Sequence, residues 1–369
     1  MPCAEHSELA AWLRLTTTPK VGAAALRRLL AAFGSPQAVL SASAGARKAV
    51  AGEAAADALA RAPANADRLW ERTETWLGKA PPGITRALIP LGDSRYPEAL
   101  LHAADPPLLL HVEGRLSLLT TPSIALVGSR NATPQGLANA RRFGDELASA
   151  GLTVVSGLAL GIDGAAHAGA LPHPACTVAV VGTGLDQVYP RQHAELAECI
   201  RQRGLLISEH PLGTPPKAAH FPRRNRLIAG MTRGTLVVEA ALASGSLITA
   251  RLAAESGREV FAIPGSIHSP QSRGCHALLK QGAKLVEITD DILEELNWAA
   301  MSPCPSPAAP PQTPDRLLDA LAHDPVDLDT LVNRTGETAH ALTPRLLQLE
   351  FEGRIARLPG QRFQRLGPA

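Results

Sequence analysis

A chain of 369 residues is long enough for two or three domains and a sizeable buried core. Hydrophobic residues at 45% and charged residues at 19% exclude a disordered chain, and a formal net charge of +2 means that any strongly basic patch is local. Five scattered cysteines without a C-x-x-C pair argue against a disulfide framework or a zinc site, and the lack of an 18-residue uncharged apolar run argues for the cytoplasm, with no membrane span.

Residues 1–82 read as an Ala-rich helical unit closed by Pro81-Pro82-Gly83. Within it, Thr18-Pro19-Lys20-Val21-Gly22 leads into a helix starting near Ala23; such a hairpin can offer backbone N–H groups to a phosphate, but an ordinary helix connection is the favoured reading. From Ile124 the pattern changes. Apolar runs without alternation recur at residues 124–128, 153–155, 177–181, 205–207, 235–238, 259–263 and 284–286, separated by helical stretches such as 136–150, 193–203 and 246–256. Buried parallel strands have this signature, so residues 83–298 are expected to form an α/β parallel sheet covered on both faces. Residues 299–313 are a Pro-rich linker, and 314–369 end in a helix and two short strands about Pro359-Gly360, the pattern of a winged helix. Glu350 and Glu352 on its last helix lean towards protein contact rather than DNA contact.

Ligands of an open parallel sheet bind where strand ends meet the following helices. Those turns here carry Gly128-Ser129-Arg130, Ser156-Gly157 through Asp163, Gly182-Thr183-Gly184, residues 239–246 and Pro264-Gly265-Ser266. Gly allows close backbone approach, hydroxyls donate, and Arg130 supplies a fork suited to phosphate. Between Glu209 and Glu239 there is no acidic residue, while Lys217, Arg223, Arg224, Arg226 and Arg233 all fall there. Such a window attracts polyanions. With aromatic residues at only 3%, Phe221 is one of few rings available for a base, so phosphate contacts should dominate. No P-loop, G-x-G-x-x-G fingerprint or nucleophile–base pair is present, so no cofactor, metal or catalysis is expected. Asp163 and His167, four apart, read as a cap and a packed side chain.

At these residues the sequence resembles the DNA-processing protein A family, also called Smf. The matching pieces are Val127 to Arg130 with Thr133 and Gly136, residues 156–163, His220-Phe221-Pro222-Arg223-Arg224-Asn225-Arg226, residues 244–250, and Pro264-Gly265, in matching order from about Gly92 to Leu296. The resemblance implies an extended Rossmann-like core, a sterile-alpha-motif-like or helix-hairpin-helix-like N-terminal unit and a winged-helix C-terminal unit. It also implies a homodimer that binds single-stranded DNA, protects strands during natural transformation and loads the RecA recombinase onto them. Carried over by motif, Arg130 and Lys217 grip the strand, with Phe221, Arg224, Asn225 and Arg226 alongside. Gly128, Ser129, Ser156, Gly157, Asp163, Ser244, Gly245 and Ser246 complete the expected DNA-binding set. The alternative is a phosphoribohydrolase-type enzyme on nucleotides. Those proteins use P-G-G-x-G-T-x-x-E, of which this chain has only an offset remnant from Gly234-Thr235 to Glu239.

Overall fold

The structure, a computed structural model, describes residues 3–298, 315–321 and 325–366; the expected linker 299–313 lies outside the described residues. Six helices open the chain: Cys3–Thr17, Ala23–Phe33, Pro36–Ser41, Ala44–Ala51, Glu53–Leu59 and Ala66–Gly78. The short third and fourth helices are started by Ser35 and Ser43, whose hydroxyls accept from Ala38 N and Ala46 N. Leu13, Leu15, Leu26, Leu29 and Val39 form their buried centre. The last of these helices is not an appendage. Its Trp76 packs with Leu158, Val181, Leu185 and Leu212 from the following α/β unit.

The α/β unit is built on nine strands: β1 (Thr85–Pro90), β2 (Leu109–Gly114), β3 (Ser123–Val127), β4 (Thr153–Ser156), β5 (Thr177–Val180), β6 (Leu205–Ser208), β7 (Gly234–Val237), β8 (Glu259–Ala262) and β9 (Lys284–Leu285). Their order is β1-β2-β6-β5-β4-β3-β7-β8-β9. Every pair from β6 to β9 is parallel, and β2 joins β6 and β1 in antiparallel register. The strands β3 to β7 are buried residue by residue, which is why they read as unbroken apolar runs. Chain order runs outwards from β3 in one direction and from β7 in the other. The switch point therefore lies between these two central strands, and their following loops diverge to leave a crevice.

Helices Pro134–Ser149 and Ile162–Ala170 cover one face at very close range. A Cβ on Gly144 would lie 2.5 Å from the Ala166 carbonyl oxygen, and one on Gly169 would run into the Arg141 carbonyl. Both neighbours are backbone and cannot swing aside. Gly169→Ala is thus expected to lower the unfolding free energy by about 2–3 kcal/mol, read as a shift of the urea midpoint; an unchanged midpoint would show that the helices separate at no cost.

The C-terminal unit has helices Arg316–Leu321, Leu328–Thr335 and Ala339–Phe351 with strands β10 (Val326–Asp327), β11 (Ile355–Leu358) and β12 (Arg362–Arg365) in the order β10-β12-β11. Leu317, Leu331, Leu346 and Ile355 are its buried centre. This is the helix and wing arrangement expected of the tail. The fold class is α/β, with a helical unit before the sheet and a winged helix after it.

Candidate nucleic-acid interface

The crevice at the switch point holds a cavity of about 780 Å³. Three segments wall it: the turn after β3 at residues 127–131, the turn after β7 from Ala241 to Thr249, and the segment from Pro216 into the helix His220–Met231. This helix begins two residues before Pro222, which sits in its first turn where a missing N–H costs nothing. Of the expected set, Gly128, Ser129, Arg130, Asp163, Lys217, Phe221, Arg224, Asn225, Ser244, Gly245 and Ser246 line the cavity, and Ser156, Gly157 and Arg226 do not.

Two cations face it with their heads exposed, Arg130 and Lys217. Among the described residues, neither is in a salt bridge. The Arg130 guanidinium lies over the Phe221 ring, 5.4 Å from its centroid. The other arginines of the basic window are spoken for, and here the structure departs from the sequence expectation. Arg226 pairs with Glu209 and donates to the Asp105 carbonyl oxygen, while Arg223 lies 3.2 Å from the same Glu209. Arg233 sits over Trp298 at 5.3 Å, in a different place. Arg224 lines the cavity but is only 3% exposed. Its Nη1 donates to the Gly157 carbonyl oxygen at 2.5 Å and also to that of Val180, which ties the ends of β4 and β5 together. Burial pushes this guanidinium down to about 10, against the pull of Asp163. A phosphate-gripping role therefore does not fit Arg226, and Arg224 acts as a structural tie.

The turn after β4 is likewise occupied from within. Asp163 accepts from Gly157 N at 3.0 Å and Ala159 N at 3.3 Å, so a carboxylate of the chain already fills the place an anion would take. Burial pushes its carboxyl up, opposed first by Arg224. The Ser156 hydroxyl is buried and donates to the Leu126 carbonyl oxygen at 2.6 Å. Ser156 and Gly157 therefore frame the site from behind.

His167, on the helix Ile162–Ala170 that follows this turn, is fully buried. Thr177 Oγ1 donates to Val154 O at 2.7 Å, so it accepts from His167 Nδ1 at 2.7 Å. That leaves Nε2 to accept from Leu158 N at 3.3 Å, and the ring is neutral. Burial, then His193 and Arg224, pushes its pKa down to about 3. The unfolded chain binds a proton near pH 6.5 that the folded chain refuses, so this contribution is intact at neutral pH and is lost as pH falls below about 6.5. Between pH 7 and 5 the wild type should lose about 2 kcal/mol more stability than His167→Gln, measured by urea unfolding. Equal losses would place His167 in contact with water.

Ser129 N donates to the Glu239 carbonyl oxygen at 2.7 Å, joining the turns after β3 and β7. A Cβ on Gly128 would meet Ile162 at 2.6 Å, so glycine lets these backbones meet. The Glu239 carboxylate accepts from Thr133 N at 2.9 Å and Thr133 Oγ1 at 2.5 Å, at the start of the helix Pro134–Ser149. It thus acts as a helix-start anchor and does not line the switch-point cavity. Ser244 and Ser246 hydroxyls stand 2.7 Å apart at the start of the helix Ser246–Glu255. Sequence reasoning missed Tyr189, which lines the cavity with 43% of its surface exposed. Its position six residues beyond the Thr183 turn, between Val188 and Pro190, carried no periodic signal. No helix of the described residues is long and apolar enough to cross a membrane, and no group of His, Cys, Asp and Glu among them could hold a metal ion.

Residues 87–297 match the model of the DNA recombination-mediator protein A family. The chain belongs to that family. Two further family models match: the DprA-like N-terminal HHH domain over residues 6–66 and the DprA winged helix domain over residues 290–361. Protein Smf of Escherichia coli K12 is 45% identical over 283 residues, covering 74% of this chain and 76% of Smf. DNA processing protein DprA of Streptococcus pneumoniae R6 is 47% identical over 206 residues, covering 56% and 73%. Among solved structures, DprA from Streptococcus pneumoniae aligns with a TM-score of 0.65 at 36% identity, over 76% of this chain and 95% of that one. DNA processing protein A from Helicobacter pylori, described as binding single-stranded DNA, aligns with a TM-score of 0.52 at 32% identity, over 57% and 95%.

Proposed function

We propose that this recombination-mediator protein binds single-stranded DNA along the switch-point cavity, protects strands taken up during natural transformation and loads RecA onto them. The observation that carries this is the pair Arg130 and Lys217, two exposed cations that face one cavity at the sheet's switch point without a salt-bridge partner among the described residues. Arg130 offers a planar fork and Lys217 a point charge, both suited to phosphate oxygens. The hydroxyls of Ser244 and Ser246 and the start of their helix add donors and a favourable dipole. These groups read the backbone and not the bases, so sequence preference should be weak. The likeness to the Helicobacter pylori protein supports a single strand as the ligand.

The protein acts by binding, without a cofactor, in the cytoplasm. The anchoring of Glu239 on Thr133 supports that reading over nucleotide hydrolysis, because the one acid of the hydrolase-like remnant is committed to holding a helix. A homodimer is the proposed working form. Strand β9 is an edge of the sheet, and Leu285 and Ile288 beside it are 45% and 53% exposed, apolar surface suited to a second copy. In a competition experiment, labelled single-stranded DNA should be displaced by unlabelled single strand and resist an equal concentration of duplex. Equal displacement by the two would sink the proposal. Strand pre-bound by the protein should then nucleate RecA filaments faster than strand coated with a single-strand-binding protein alone.

A further inference from the structure

We infer that Tyr189 is a stacking platform for a nucleobase of the bound strand, a second, non-ionic component of the site. This rests on the reading of the cavity as a single-strand site. Of the six Phe, four Trp and two Tyr side chains, only Tyr189 and Phe351 are exposed, and of these two only Tyr189 lines the cavity of Arg130 and Lys217. Phe221, the ring that sequence favours, also lines the cavity but is half-buried, with its faces largely taken up. The Arg130 guanidinium lies over it, Tyr189 stands beside it with centroids 5.5 Å apart, and Gly182 is so close that a Cβ there would be 3.3 Å from the ring. Tyr189 is thus the outer member of an Arg130–Phe221–Tyr189 group and the one with surface to offer. A base stacked on it would share the edge of the groove with a phosphate held at Arg130, and any base would serve because each has a π-face.

The ring stands on a loop that is fixed in advance. Thr183 Oγ1 donates to Gln187 O at 2.7 Å, Gly184 N to Thr214 O at 3.0 Å and Gly213 N to Asp186 Oδ1 at 2.8 Å. Asp186 is also paired with Arg72 from the helix Ala66–Gly78. Little ordering remains to oppose stacking when the strand arrives.

The test measures binding of full-length protein to an oligothymidylate and to an abasic phosphodiester of equal length, across a salt series. Tyr189→Leu should weaken oligothymidylate binding about tenfold, leave the abasic strand unchanged and leave the slope of log Kd against log salt unchanged. Tyr189→Trp should bind at least as well as the wild type. An unchanged affinity of Tyr189→Leu for oligothymidylate, or equal losses on both strands, overturns the inference while Arg130→Ala still weakens both. Should Arg130→Ala leave both strands unaffected, the single-strand reading of the cavity fails and this inference with it. The exposed position of Tyr189 means that thermal melts of the variants should match the wild type, which separates lost stacking from lost folding.

Discussion

Arg224→Ala should cost about 3–5 kcal/mol of folding stability, the range for removing one partner of a buried, charge-compensated pair. The side chain is 3% exposed and donates to the carbonyl oxygens of Gly157 and Val180. It also supplies the main positive charge near Asp163, which is itself only 7% exposed. Two carbonyl acceptors and one carboxyl would be left in a dry place at the end of β4 and β5. Lysine should rescue only in part: one nitrogen, Nη1, meets both carbonyls and an ammonium can donate twice, but the shorter lysine lacks the Nε–H that donates to Asn225 Oδ1. Adding Asp163→Asn to Arg224→Ala should return part of the loss, since the stranded charge is then gone. Denaturant unfolding of the three variants measures this, and a cost for Arg224→Ala below about 1 kcal/mol, the range of an exposed side chain, would remove Arg224 from its structural role.

The double variant Arg130→Ala, Lys217→Ala should weaken single-strand binding by about a hundredfold while leaving stability near the wild-type value. Each lost charge-assisted contact is worth about 1.5–3 kcal/mol, or roughly tenfold or more. Both side chains are exposed and hold nothing else in place apart from the contact of Arg130 with Phe221. Arg226→Ala should give the opposite pattern. Its guanidinium neutralises Glu209, itself buried with its carboxyl pushed up by desolvation, so the deletion should lower stability first. Anisotropy titrations and melts of the same preparations distinguish the two patterns. Loss of binding in Arg226→Ala at unchanged stability would return that residue to the DNA site.

Much of the sheet was legible because its strands are buried on both sides. Runs such as Thr177-Val178-Ala179-Val180 have no polar face to obscure, and the strand–helix alternation from Ile124 onwards follows. Strands β1 and β2 were not legible. Strand β2 contains His111 and Glu113, both 1% exposed, and a charged residue in a short run looks like a loop. Glu113 survives there because Arg86 Nε at 2.7 Å and Arg201 Nε at 3.0 Å close on it from distant parts of the chain. The same blindness to distant partners explains the basic window. A stretch without acids looked like uncompensated charge, yet its compensation comes from its border residue Glu209, from Asp105 and from Asp163. Local sequence therefore located the wall of the cavity and overstated how many of its cations face outwards. The turn at residues 156–163 had the look of a phosphate cradle for a related reason: its amides are aligned, and the chain fills them with its own carboxylate.

The most direct test of a phosphate-reading single-strand site is a salt titration of binding to single-stranded and duplex DNA of the same sequence. Two phosphate contacts, at Arg130 and Lys217, predict that log of the association constant for the single strand falls linearly against log salt with a slope of at least about −1.4 per protomer. The single strand should bind tighter than the duplex throughout. A flat salt response, or equal affinity for the two forms at every salt concentration, would contradict this account of the cavity.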